Sequence, residues 1–191
     1  MRPLPLTAVY DACVLYPAPL RDLLMWLGLS ELVHARWSAQ IHEEWKRSLL
    51  GNRTDLTRGQ LDRTSALMDR ALPESLVTGH EGLVAGLSLP DADDRHVLAV
   101  AIRCNASVIV TFNERDFPQA ALAPHGLEAQ HPDRFIDTLF DLDRTAVVAA
   151  AQRQRAHLKN PPMDVQRYLD VLLRQGLART VKALVTCRDL L

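Results

Sequence analysis

Apolar positions along this chain change their period several times, and each change marks an element. Leu6 to Tyr10 (LTAVY) is a short apolar run closed by Asp11, which predicts a central strand with a carboxylate at its C-terminal edge. Pro17 and Pro19 break the chain, and Pro19 can open a helix. Leu20, Leu23, Leu24 and Leu27 then follow at helical spacing, with Gly28 as the expected stop. Glu31 to Arg36 fits either a helix end or a strand. Ser38 can cap a helix over SAQIHEEWKRSLL, its hydroxyl taking an orphan amide of the first turn. Ile41, Trp45 and Leu49 form the inward face of that helix, and Glu44 lies at the edge beside Trp45. Thr57 to Leu72 predicts a second long helix with Leu61, Ser65, Met68 and Leu72 on one stripe. Gly79, Gly82 and Gly86 make the following stretch a loop or short strand.

The densest pattern runs from Leu89 to Phe117, LPDADDRHVLAVAIRCNASVIVTFNERDF. Asp91, Asp93 and Asp94 stand after a proline, where a helix can begin. Val97, Leu98, Ala101 and Ile102 mark one helical face. Val108 to Thr111 is β-branched throughout and predicts a buried strand. Asn113, Glu114 and Asp116 then fall at the strand's C-terminal end, where open α/β sheets place their ligands. Leu127 to Gln130 predicts an edge strand. From Pro132 onward the texture is helical: Phe135, Leu139, Phe140 and Leu142 form one apolar group, and Asp143 caps an Ala-rich helix. Asn160-Pro161-Pro162 is a break, Asp164 caps a further helix ended by Gly176, and Leu177 to Leu190 is a last one. The expected organisation is a parallel-sheet α/β domain over residues 1–131 and a helical unit over 132–191.

Composition adds little except through charge. A 191-residue chain with 48% hydrophobic and 24% charged residues is ordinary for a globular protein. No apolar run approaches the roughly 20 residues of a membrane span. The start, Met-Arg-Pro-Leu-Pro-Leu, lacks the apolar core of a secretory signal, so a cytoplasmic location is expected. Cys13, Cys104 and Cys187 are odd in number and far apart, which suits buried thiols in a reducing compartment. The net charge of −1 conceals an asymmetry: 13 Lys and Arg against 20 Asp and Glu up to Asp143, then 9 against 3 from Arg144. An acidic body with a basic tail segment bears on any polyanionic substrate.

The body thus offers four acids of one kind: Asp11 at a strand end, Glu44 on a helix, Asp94 at a helix start and Asp116 after a later strand. In a doubly wound sheet such positions converge on one edge. Carboxylates forced together repel unless a hard divalent cation lies between them, which calls for Mg²⁺ or Mn²⁺. VYDACVLY, SAQIHEEW, DADDRHVLAVAI and VTFNERDF, in that order, resemble the successive motifs of PIN-domain ribonucleases, most of all the VapC-type toxins of toxin–antitoxin pairs. The resemblance spans about Leu6 to Gln130. It implies a three-layer α/β/α PIN-like fold and metal-dependent cleavage of RNA by an activated water. It also implies metal-site and catalytic roles for Asp11, Glu44, Asp94 and Asp116, with Asn113 as a polar auxiliary and Thr111 holding a water. Glu44 rather than Glu43 matches the family's helix glutamate. A homodimer and a cognate antitoxin that blocks the acidic groove are implied as partners. The segment from Pro132 resembles the C-terminal extension of larger VapC-like proteins, and its basic residues, Arg153, Arg155 and Lys159 foremost, are candidates for RNA phosphate contacts.

Each acid also has a plain explanation. Asp94 could be only an N-cap, Glu43-Glu44 a solvated helix face, and Asp116 a turn residue. His42, His80, His96 and His125 fit a surface or satisfied core place better than a ligand set, and no second histidine follows His42-Glu43 at the spacing a zincin needs. Two other functions compete. A haloacid-dehalogenase-like phosphatase would want an aspartate two residues after Asp11, where Cys13 stands. A PIN-like fold that has lost activity would serve as an RNA- or protein-binding module.

Overall fold

The computed structural model describes residues 5–159 and 161–191. Residues 1–4, which carry most of the expected signal-free start, and Asn160, the first residue of the expected break, lie outside the described residues. Strands β1 (Leu6–Tyr10), β2 (Val33–Arg36), β3 (Val108–Val110) and β4 (Glu128–Gln130) form one four-stranded parallel sheet in the order β2-β1-β3-β4. Ala8 stands opposite Val108 and Tyr10 opposite Val110, and Val110 in turn opposite Gln130. β1 and β3 are therefore central, as their unbroken apolar runs require.

The helices are α1 (Ala12–Leu15), α2 (Ala18–Leu29), α3 (Ala39–Asn52), α4 (Arg58–Ala71), α5 (Glu81–Val84), α6 (Arg95–Arg103), α7 (Gln119–Leu122), α8 (Pro132–Leu142), α9 (Arg144–His157), α10 (Val165–Arg174) and α11 (Ala178–Val185). Their starts follow local chemistry. Ser38 Oγ accepts from the Ile41 amide, Asp143 Oδ1 from Ala146 and Asp164 Oδ1 from Arg167. Thr57 and Gln60 make a reciprocal capping box at α4. Gly28 is not the stop of α2. The helix continues to Leu29, and Glu31, at φ 61, makes the left-handed turn that ends it.

The chain divides into two compact units that are not consecutive halves. One comprises Leu6–Tyr16 and His34–His131, and so holds the sheet and α3 to α7. Its α6 packs on β1 and β3 on one side and on α5 on another. His96 through Ala101 are consequently all buried, so the expected single apolar face is a fully enclosed helix, while Ile102 is only half-buried. A polar brace lies between α3 and α4: the Trp45 indole N–H donates to His42 Nδ1 at 3.0 Å, and His42 Nε2 and the Trp37 indole both reach Asp69 Oδ1, at 3.0 and 2.8 Å. Accepting at Nδ1 leaves the proton of the neutral ring on Nε2, facing Asp69. Burial lowers the His42 pKa, so the ring is held neutral.

The other unit comprises Pro17–Val33 and Pro132–Leu191. The grouping of α2 with the C-terminal helices has a local cause. Gln154, 1% exposed on α9, donates to the Pro19 carbonyl at 2.8 Å and accepts from the Tyr168 hydroxyl at 2.8 Å. One buried amide thus ties α9 to the first turn of α2 and to α10, where each partner also satisfies it. Phe135, Ile136, Leu139 and Phe140 are the buried residues of α8, whereas Leu142 is 42% exposed and outside the apolar group predicted for it. The three cysteines are free, as expected, but only Cys187 is buried; Cys13 and Cys104 are half-buried. No described helix is long and apolar enough to cross a membrane.

Candidate active site

Asp11 follows β1 directly, and its amide donates to the Val110 carbonyl at 3.1 Å, extending the parallel pairing by one residue. The side chain is 5% exposed. A buried carboxylate requires donors, and the end of β3 supplies them. Thr111 Oγ1 donates to Asp11 Oδ2 at 2.7 Å, and the Cys13 thiol donates to the same oxygen at 3.1 Å. Each donor is itself fixed by the backbone: the Asn113 amide donates to Thr111 Oγ1 at 3.0 Å, and the Phe112 amide to Cys13 Sγ at 3.2 Å. Thr111 therefore holds the acid itself through its hydroxyl. Cys13 escaped the sequence reading, which treated it as a buried thiol of no chemical role. Burial and the Asp11 charge push its pKa up to about 12, so it remains a thiol donor and not a nucleophile.

The two adjacent glutamates of α3 separate cleanly. Glu43 accepts from Lys46 Nζ at 2.6 Å and from Arg58 Nη2 at 2.7 Å, in a network that also includes Asp62 and links α3 to α4. These contacts hold the Glu43 carboxyl below its usual pKa, the hydrogen bond from Lys46 most strongly. Glu44 points elsewhere. Its Oε1 is 2.7 Å from Nε2 of His96, a residue 3% exposed on α6. The approach is close enough for attraction but out of line for a hydrogen bond, and both ring nitrogens of His96 lack a hydrogen-bond partner. His96 is thus a core residue, and what the sequence did not indicate is that it borders Glu44.

Asp94 is the N-terminal boundary residue of α6, yet its side chain makes no capping hydrogen bond. Its surroundings are acidic. Burial first, then the charges of Asp11, Asp91, Asp116 and Glu44, push its pKa up to about 7. Asp11, Glu44 and Asp116 are thus each within electrostatic reach of Asp94, although the four come from the end of β1, α3, the start of α6 and the segment after β3. Asp116 closes a single 3-10 turn, Glu114–Asp116, that Asn113 precedes. Asp91 accepts from the Asp93 amide at 2.9 Å, and both of those residues are exposed. Phe112, Asn113, Glu114, Arg115 and Asp116 line an open cleft of 410 Å³.

Asp11, Glu44, Asp94 and Asp116 offer hard oxygen donors, suited to Mg²⁺ or Mn²⁺ and poorly suited to softer metals. As placed, no three acidic, histidine or cysteine side chains among the described residues stand close enough together to hold one ion. Asp94 nevertheless meets the charges of the other three. The donor chemistry fits a divalent cation.

The basic residues of the C-terminal unit divide as well. Arg153 and Lys159 are exposed. Arg155 is not available in the same way: its Nη1 donates to the Met163 carbonyl at 2.8 Å and its Nη2 to the Leu191 carbonyl at 3.2 Å. It secures Leu191 within its own unit, and both terminal guanidinium nitrogens are thereby engaged.

Two family models match consecutive parts of the chain. The family model described as "PIN domain" matches residues 7–115, and that described as "VapC50 C-terminal domain" matches residues 132–186. The chain is 35% identical over 131 residues to the Mycobacterium tuberculosis protein named "Putative ribonuclease VapC50", covering 66% of this chain and 76% of the relative. No solved structure matches the chain.

Proposed function

Because the chain belongs to the PIN-domain family and is a homologue of a VapC ribonuclease, we propose that it is a metal-dependent endoribonuclease, the toxin of a toxin–antitoxin pair. The observation that carries this reading is the Asp94 environment: a half-buried carboxylate on which the charges of Asp11, Asp91, Asp116 and Glu44 all act. A purely structural acid at this place would cap the helix, and Asp94 makes no cap bond. Asp11, Glu44, Asp94 and Asp116 would hold the cation. When bound, Mg²⁺ supplies an activated water and offsets charge developing on the phosphate.

The chain's own residues account for the remaining requirements. Thr111 and Cys13 fix the Asp11 carboxylate by two donors to one oxygen, so it enters the site in one orientation. His96 lies against the Glu44 carboxylate from the buried side, and the α3–α4 ion pairs keep Glu43 away from it. Arg153 and Lys159 offer exposed cations for RNA phosphates, which the acidic cluster alone would repel. A homodimer, a protein antitoxin that covers the acidic cluster and a cytoplasmic location complete the proposal.

The direct test is incubation of the purified chain with total RNA. Cleavage is expected with Mg²⁺ or Mn²⁺ and none with EDTA, and cleavage undiminished by chelation would remove the metal-dependent reading. A second measurement addresses Asp94. Because that carboxyl holds its proton to about pH 7, a binding cation must displace the proton. Mn²⁺ affinity, measured by calorimetry, should tighten about tenfold between pH 6 and pH 8, as one proton of that affinity requires. A flat profile would mean that Asp94 does not contribute to the site.

A further inference from the structure

Resting on the ribonuclease reading above, we propose that Phe112 forms the stacking face of a subsite for one unpaired RNA base, next to the phosphate that is cut. The residue occupies an unusual position. Val108 through Thr111 are buried, and Phe112, the first residue beyond them, is only partly covered although it is the largest apolar side chain of that segment. Its ring is braced on one side by His131, edge-on at 5.1 Å between centroids and 70° between planes. Its backbone is braced too, since the amide donates to Cys13 Sγ and Cys13 donates to Asp11. The ring therefore stands at a fixed place relative to the first acid of the site.

The cleft that Phe112 lines with Asn113, Glu114, Arg115 and Asp116 has a volume of 410 Å³, within the roughly 300–1,000 Å³ of small-ligand sites. Its charge decides which part of an RNA it can accept. Two carboxylates against one guanidinium make it unfavourable for a phosphate, whereas a neutral base pays no such repulsion. An aromatic floor with an exposed amide and carboxylate at the rim, Asn113 and Glu114, matches how proteins take splayed-out bases: stacking on the face, with polar groups along the edge. A base inside a duplex is stacked on both faces and cannot enter. The substrate class that follows is single-stranded RNA, including loops and ends.

The test uses the full chain carrying Asp94→Asn, so that RNA is bound without being cut, and reads fluorescence anisotropy of a labelled single-stranded oligonucleotide and of its duplex. Adding Phe112→Ala is expected to raise the Kd for the single strand about five- to 150-fold, the range measured for base–aromatic stacking. Phe112→Leu, which keeps an apolar side chain and removes the stacking face, should weaken binding similarly. Phe112→Trp should bind as the parent does, with the new indole emission quenched by RNA. Unchanged affinity in the Leu variant, or duplex bound as tightly as single strand, would overturn the subsite. So would unchanged RNA binding accompanied by weaker binding of a basic antitoxin peptide, which would assign the cleft to a protein partner. If the Asp94→Asn chain binds no RNA of either form, the ribonuclease reading itself falls, and the subsite with it.

Discussion

Asp94→Asn is expected to lower RNA cleavage by on the order of a hundredfold or more, while making the metal-free protein more heat-stable at pH 8. The two effects have one origin. In the native chain the Asp94 carboxyl sits half-buried among Asp11, Asp91, Asp116 and Glu44, and its pKa is pushed up to about 7. A carboxyl whose folded pKa lies above its unfolded one binds its proton more tightly when folded. It contributes fully to stability below about pH 4, where both states are protonated, and that contribution is lost as pH rises through 7. Above that point an ionised Asp94 repels its neighbours. Asparagine has nearly the same shape and no charge to ionise, so the variant should escape the loss between pH 4 and pH 7 and melt higher than the native chain at pH 8. The same absence of charge removes a cation ligand, so added Mg²⁺ should raise the melting temperature of the native chain and barely move that of the variant. A variant that lost both activity and stability would instead place Asp94 among the residues that hold α6 in place.

What could be read from the sequence is what depends on neighbours along the chain. The apolar runs of β1 and β3 and the caps at Ser38, Asp143 and Asp164 all follow from residues within one or two turns. The four acids could be selected because strand ends and helix starts in a parallel sheet share an edge. Of the two adjacent glutamates, Glu44 could be preferred on its place beside Trp45 and on the family resemblance. The ion pairs of Glu43 with Lys46 and with Arg58 of the next helix could not be read, because they depend on how α3 meets α4. Arg155 looks like Arg153 in sequence, yet only the first meets the carbonyls of Met163 and Leu191. The grouping of Pro17–Val33 with the last sixty residues of the chain was hidden for the same reason, because it runs through Gln154 and its partners at Pro19 and Tyr168.

Asp133→Ala is expected to destabilise the C-terminal unit by about 3 kcal/mol. Asp133 opens α8 and is 7% exposed. Its two oxygens accept from the Arg179 amide at 2.9 Å, the Thr180 amide at 2.9 Å and the Thr180 hydroxyl at 2.8 Å. Those amides belong to the first turn of α11, whose own boundary residue, Leu177, offers no side-chain acceptor. An acid 46 residues upstream in sequence thus performs the capping that a local serine or aspartate performs at α3, α9 and α10. It also places a negative charge at the positive end of the α11 dipole. Truncation leaves two amides and a buried hydroxyl without acceptors, and each such group costs about 1–3 kcal/mol, partly recovered by water at the half-covered Arg179 side. For a chain of this length that loss should lower the melting temperature by roughly 6–12 °C. Asp133→Asn separates charge from geometry: its carbonyl can serve one amide, but its NH₂ faces the other donors, so it should recover less than half of the loss. Equal stability of the native chain and the alanine variant would mean that water replaces the carboxylate at no cost, and that packing of α8 on α11 carries the contact alone.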